Sequence, residues 1–216
     1  MNQNLFQEIL SSQQKAKLTV KQERVVEAAI SLFAEKGYSN TSTAEIAKKA
    51  EVSEASIFKQ YGTKERLLLS LVIPYAKDFL PAKADEIIQE IRSSNQHMTF
   101  EQFLTAFLKN RVAFAAENRE VFQVLIKEFI YKEDLKNELL PYFASEVVPR
   151  LSKVIASYQA RGELRDVETT VLVRMVFTFI GGFLASRFVV LQQSRIEDDE
   201  VEAAVQFIMN GISSQH

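Results

Sequence analysis

Cysteine and tryptophan are both absent from this 216-residue chain. Without thiols, neither a disulfide framework nor a thiolate metal site is possible. Histidine occurs only at His97, in a polar run, and at His216, the last residue. Neither has a second His or Cys at helical ligand spacing, which argues against zinc and haem. No glycine-rich phosphate loop follows a strand-like run, and no G-x-S-x-G elbow occurs. The acidic runs Glu133-Asp134 and Asp198-Asp199-Glu200 fall at turns or helix starts, where the helix dipole accounts for them better than catalysis does. We therefore read no cofactor, no metal and no enzyme. No basic, hydrophobic leader opens the chain, so a cytoplasmic protein is expected.

Only six Gly and four Pro leave little to interrupt helices. Hydrophobic residues make up 47% of the chain and charged residues 25%, which are ordinary globular values. Sixteen Phe promise an aromatic interior. Net charge is −2, which by itself does not suggest a nucleic-acid partner. The charge is unevenly spread, however. Residues 1–66 hold ten Lys/Arg against eight Asp/Glu, and the remainder holds sixteen against twenty. Affinity for phosphate would have to come from placement and from two copies acting together.

The most informative stretch is Thr41 to Glu65. Ser42 and Glu45 form an S-x-x-E capping box, followed by the apolar stripe Ile46, Ala47 and Ala50. Ser53 is the next N-cap, and Ile57, Phe58 and Tyr61 are expected as the buried edge of a second helix. Two short helices joined by a tight turn, the second exposing small and polar residues, form a helix-turn-helix pattern. Hydroxyls and N–H groups at Thr43 and Ser53 suit phosphate, and Lys48, Lys59 and Lys64 can neutralise it. The outer face of the second helix offers Glu54, Ala55, Ser56, Lys59 and Gln60 to base edges, with the Tyr61 hydroxyl nearby. Glu54 also serves the helix dipole, and core packing is the expectation for Phe58.

These residues resemble the tetracycline-repressor (TetR) family of bacterial regulators. The resemblance rests on Gly37-Tyr38, Thr41-Ser42-Thr43, Ile46-Ala47, Val52-Ser53, Ile57-Phe58-Lys59-Gln60-Tyr61 and Lys64-Glu65, within residues 21–70. Glu51 stands where that pattern has a turn glycine, Phe58 where it has a tyrosine that commonly touches phosphate, and Gln60 where it has His or Tyr.

The rest of the chain reads as helix after helix, an all-α protein. Thr19 and Gln22 box the helix before the turn motif, which presents Val26, Ala29, Ile30 and Phe33 inward and stops at Gly37 in a left-handed cap. Thr63 caps a helix rich in Leu that should kink or end at Pro74, with a second break at Pro81. Thr99 and Gln102 box another. Pro141 is expected at a helix start, Pro149 at a kink or split, and Asp166 as the cap of a long apolar helix ending near Gln193. Three regions follow: residues 1–18, a tail or short extra helix with Leu5, Phe6, Ile9, Leu10, Lys15 and Lys17; residues 19–66, a helix-turn-helix domain; and residues 67–216, a helical ligand-binding and dimerisation domain.

Val171 to Leu191 is apolar enough to raise a membrane question, but Arg174 and Arg187 inside it would be costly in lipid, so no membrane is expected. Gly181 and Gly182 leave room for close backbone approach, and the last helix offers Val201, Val205 and Ile208 as a matching stripe. Two such helices per chain would make a four-helix bundle in a homodimer, which the resemblance also implies. Phe103, Phe107, Phe114, Phe122, Phe129, Phe177 and Phe179 are ordinary core residues taken singly. Taken together, the resemblance makes them candidates for a cavity that binds a small apolar ligand, with Arg111, Arg174 or Tyr131 as polar contact. The function expected is a ligand-responsive repressor that binds a pseudo-palindromic double-stranded DNA operator as a dimer. The alternative is a helical ligand-binding or protein-interaction module that binds no operator.

Overall fold

A computed structural model describes residues 5, 6, 9, 18–93 and 98–212. Leu10, Lys15, Lys17, His97 and His216 lie outside the described residues. Among the described residues every regular element is helical: α1 (Val20–Lys36), α2 (Thr43–Lys49), α3 (Glu54–Tyr61), α4 (Lys64–Ser93), α5 (Phe100–Glu117), α6 (Arg119–Tyr131), α7 (Glu133–Tyr142), α8 (Val148–Gln159), α9 (Thr169–Ala185) and α10 (Asp198–Ile212). π-Helical turns join α7 to α8 (Phe143–Val147) and extend α9 (Ser186–Val190). The protein is therefore all-α. By contacts it divides into two units, Met1–Leu80 with Glu117–Leu125, and Pro81–Ala116 with Ile126–His216.

Local sequence sets most helix starts. Both halves of the capping box form at Thr19–Gln22 and at Ser42–Glu45. At Thr99–Gln102 each side chain likewise accepts from the other's backbone N–H. Thr63 caps α4 by accepting from the Arg66 N–H at 3.1 Å. Other boundaries differ from expectation. Gly37 has φ +83° and ψ 160°, a region open only to glycine, rather than the left-handed helical well. Helix α4 runs through Pro74 and Pro81 without ending. Each proline forfeits one backbone hydrogen bond, and burial of Leu71, Val72 and Ile73 anchors the turn before Pro74. Pro141 lies inside α7 rather than at a start, and Pro149 sits in the first turn of α8, directly after the π-helical turn Phe143–Val147. The N-cap of α9 is Glu168, not Asp166, and its side chain makes no capping bond.

In the first unit, Val25, Ala28, Ala29, Leu32 and Phe33 of α1 face inward, while Val26 is only half-buried. The Phe33 ring meets Phe6 at 5.3 Å and Tyr38 at 5.4 Å. Leu5, Phe6 and Ile9 are buried and Leu5 N–H donates to Asn118 Oδ1 at 2.9 Å, so these residues belong to the core rather than to a frayed tail. In the second unit, α5, α8 and α9 surround an aromatic cluster in which Phe100 meets Tyr158 at 5.2 Å and Phe103 stacks on Phe107 at 6.0 Å.

Candidate nucleic-acid interface and apolar cavity

The loop between α1 and α2 is tied down from several sides. Thr41 Oγ1, almost fully buried, donates to the carbonyls of Gly37 at 2.9 Å and Leu32 at 3.3 Å. Lys64 Nζ donates to the carbonyls of Tyr38 and Thr41, both at 2.8 Å, and lies 4.1 Å from the Tyr38 ring centroid. Tyr38 Oη donates to Glu65, and Ser39 N–H donates to Glu120 at 3.0 Å. Burial lowers the pKa of Lys64. Two of its three donors are thus spent on carbonyls, and Lys64 ties down the loop.

This loop sets the start of α2. Ser42 N–H and Lys36 Nζ both donate to Glu45, and with the Ser42 hydroxyl they hold its carboxyl at about 2. The turn from α2 to α3 is a Schellman motif: Glu51 N–H donates to the Lys48 carbonyl and Val52 N–H to the Ala47 carbonyl. Glu51 sits in the left-handed well at φ +54°, where the resembled pattern has glycine, and its carboxylate pairs with Arg24 Nη1 at 3.0 Å. Thr43 Oγ1 donates to Glu54 Oε1 at 2.5 Å, so Glu54 bridges the N-termini of α2 and α3.

Helix α3 buries one side chain, Ile57. Ala55, Ser56, Lys59 and Gln60 are exposed and Tyr61 is half-buried, where burial raises its hydroxyl pKa. Ser53 caps the helix and its hydroxyl shares a hydrogen bond with Ser56 at 2.7 Å. Lys48 and Lys59 are exposed and make no ion pair with a described residue. Phe58 is 47% exposed, contrary to the expected core packing. An eight-residue helix lying on its neighbours by one edge has no second buried edge to give it. Phe58 instead walls an open depression lined by the hydroxyls of Ser39, Thr41, Ser42 and Thr43, with Asn40, Glu45 and Lys64. The clasping roles of Lys64 and Glu120 escape sequence reasoning, because their partners are backbone groups far along the chain.

The second unit encloses a small apolar cavity of about 30 Å³, room for about one water. Its walls are Phe100, Phe103, Leu104 and Phe107 of α5, Leu151, Val154 and Ile155 of α8, and Val173, Val176, Phe177 and Ile180 of α9. Of the seven expected Phe residues, Phe103, Phe107 and Phe177 are lining. Phe122 belongs to the first unit, Phe114 and Phe129 are outside the wall, and Phe179 stacks on Phe207 at 5.2 Å. Tyr131 is 80% exposed and Arg174 is exposed, so neither supplies a polar contact. Arg111 is half-buried, its guanidinium 5.9 Å from the Phe107 ring centroid.

The expected subunit stripe Val201, Val205 and Ile208 faces its own core, with Val201 and Val205 each only 1% exposed. The outward apolar residue of α10 is Phe207, 69% exposed, and on α9 they are Met175, 65% exposed, and Phe177, 42% exposed. Gly182 is exposed and Gly181 half-buried, and a Cβ on either would meet nothing within 4 Å. Residues Thr169–Val190 are long and apolar enough to cross a membrane, and much of that span is not buried within the subunit. Arg187 pairs with Glu200 and lies 5.1 Å from the Phe183 ring centroid.

Comparison with known proteins agrees with this geometry. Residues 25–71 match the family model for bacterial regulatory proteins, tetR family. The HTH-type transcriptional regulators YuxN and YvkB of Bacillus subtilis (strain 168) are each 42% identical over 55 residues, 26% of this chain. The matched stretch spans 19% of YuxN and 29% of YvkB. The solved structure of Thermus thermophilus FadR, a TetR-family transcriptional repressor in complex with lauroyl-CoA, superposes over 90% of this chain and 96% of that one, with TM-score 0.56 and 18% identity, a likeness of fold. Residues 25–71 thus match the N-terminal domain of the tetR family of bacterial regulatory proteins, and the chain as a whole shares the all-α fold of a solved TetR-family structure.

Proposed function

We propose that the chain is a DNA-binding transcription regulator acting as a ligand-released repressor, bound to a pseudo-palindromic operator as a homodimer. The observation that carries this reading is the exposure of α3: every side chain but Ile57 and half-buried Tyr61 faces outward, between two capped helix starts. Thr43 and Ser53 would anchor phosphates, with Lys48 and Lys59 adding charge, while Ala55, Ser56 and Gln60 meet base edges. Glu54 would read a cytosine amine only by leaving Thr43. Phe58 has no hydroxyl to give a phosphate, so its ring would contact sugar or a thymine methyl.

Twofold pairing through the outer faces of α9 and α10, at Met175, Gly181, Gly182 and Phe207, would set two copies of α3 about one duplex turn (roughly 34–36 Å) apart. The exposed apolar surface supports this second copy. The effector would be a largely apolar molecule entering the cavity of the helical body. It could release DNA only to the extent that it binds the non-DNA conformer better. FadR of Thermus thermophilus, a protein of the same fold, was solved in complex with lauroyl-CoA.

Selection of bound fragments from a random duplex pool tests the reading. Wild-type protein should enrich an inverted repeat, and Lys59→Met should weaken binding to it while keeping the fold. Enrichment of nothing would favour the protein-interaction reading instead.

A further inference from the structure

We infer that the helical body accepts an acidic amphiphile, with its carboxylate on Arg111 and its hydrocarbon chain in the adjoining cavity. This rests on the effector reading above and adds the sign of the ligand's head group. Along α5, Phe103, Phe107, Arg111 and Phe114 follow at intervals of four, four and three, so they share one face. Phe103 and Phe107 wall the cavity, and Arg111 lies one turn beyond them. Its guanidinium rests 5.9 Å from the Phe107 ring centroid and 5.3 Å from that of Phe114.

Charge balance at this position is incomplete. Arg24, Arg150, Arg161, Arg187 and Arg195 each pair with a carboxylate. Arg111 is half-buried, and among the described residues no carboxylate reaches it. Its Nε and Nη2 both donate to Asn110 Oδ1, a neutral acceptor. That uses one edge of the planar fork and leaves the Nη1–Nη2 edge, which matches a carboxylate in bidentate geometry. A cation taken from water and left without a counter-charge is unfavourable, and burial already lowers the pKa of this group. An anionic head would relieve that cost, a neutral one would not, and a cationic one would add to it. The cavity holds only about 30 Å³, so an alkyl chain must displace wall side chains as it enters. Binding is thereby coupled to how α5, α8 and α9 pack.

Calorimetric titration of the full-length protein with decanoate, 1-decanol and decyltrimethylammonium, each below its aggregation threshold, tests this. Decanoate should bind about tenfold or more tighter than decanol, as expected for a charge-assisted hydrogen bond, and the ammonium compound most weakly. Arg111→Met should keep decanol affinity and lose the preference for decanoate, while Arg111→Lys should retain part of it. Thermal melts establish that the variants fold, and the wild-type comparison stands without them. Equal affinity of wild-type protein for decanoate and decanol, or a preference that survives in folded Arg111→Met, overturns the charge assignment and leaves the apolar cavity standing. Failure of all three probes to bind overturns the cavity reading and this inference with it.

Discussion

Helix α3 of the first unit and helices α9 and α10 of the second are exposed in opposite ways. Helix α3 turns Ser56, Lys59 and Gln60 outward, and its N-terminal polar groups are satisfied locally by Ser53 and by the Thr43–Glu54 bond. Helices α9 and α10 turn Met175, Phe177 and Phe207 outward, with no polar network among those three. The first surface is stable in water and still offers cations, which suits a polyanion met reversibly. The second carries the kind of apolar patch that soluble monomers seldom expose, which suits a permanent partner. On the proposed reading the first surface meets DNA transiently and the second pairs permanently, and substitutions should separate them.

The largest effect is expected at Ile57, the single buried anchor of α3. Ile57→Ala should cost about 2–5 kcal/mol in urea denaturation, because the cavity it leaves lies under the whole of α3. Next, Phe207→Asp should weaken subunit pairing by about 2 kcal/mol or more, roughly thirtyfold, in sedimentation equilibrium. Val205→Asp on the same helix should unfold the subunit instead, since Val205 faces the core. Equal behaviour of the two would break the distinction between the stripes.

Lys64 and Lys59 sharpen the comparison within the first unit. Lys64→Met should cost about 1–3 kcal/mol of stability by stranding the carbonyls of Tyr38 and Thr41. Lys59→Met should change stability by less than about 0.5 kcal/mol yet reduce the salt slope of DNA binding by about 1. Glu51→Gly should stabilise the fold by about 0.5–1 kcal/mol in thermal denaturation, since the left-handed backbone at φ +54° suits glycine, set against the exposed pair with Arg24.

Smallest is the pH effect of Glu45. Its carboxyl titrates at about 2 in the folded protein against 4.5 for an ordinary glutamate, mainly because it accepts from Ser42 N–H and from Lys36. The folded state therefore binds this proton more weakly than the unfolded one. Its contribution to stability is complete above pH 4.5 and fades as pH falls toward 2. Glu45→Gln should flatten the urea midpoint against pH within that window.

What could be read in advance was local. The capping boxes at Thr19, Ser42 and Thr99 join residues three apart, so their partners are visible in the sequence. Contacts between distant residues were not visible. On α10, Val201, Val205 and Phe207 are all apolar, and only packing separates the stripe facing the core from the one facing out. The same limit applies to the phenylalanines: the count promised an aromatic interior, but Phe103 and Phe107 reach a cavity while Phe179 turns toward Phe207. Charge alone offers Lys64 to phosphate, and its bonds to the Tyr38 and Thr41 carbonyls could not be read from charge.

Hydroxyl-radical footprinting of the wild-type protein on a selected operator fragment tests the central claim most directly. Two protected patches should appear on one face of the duplex, centred roughly 10 base pairs apart, and both should vanish with Phe207→Asp at low protein concentration. A single patch, or protection that persists unchanged in that variant, would contradict a reading surface spaced by pairing of the helical bodies.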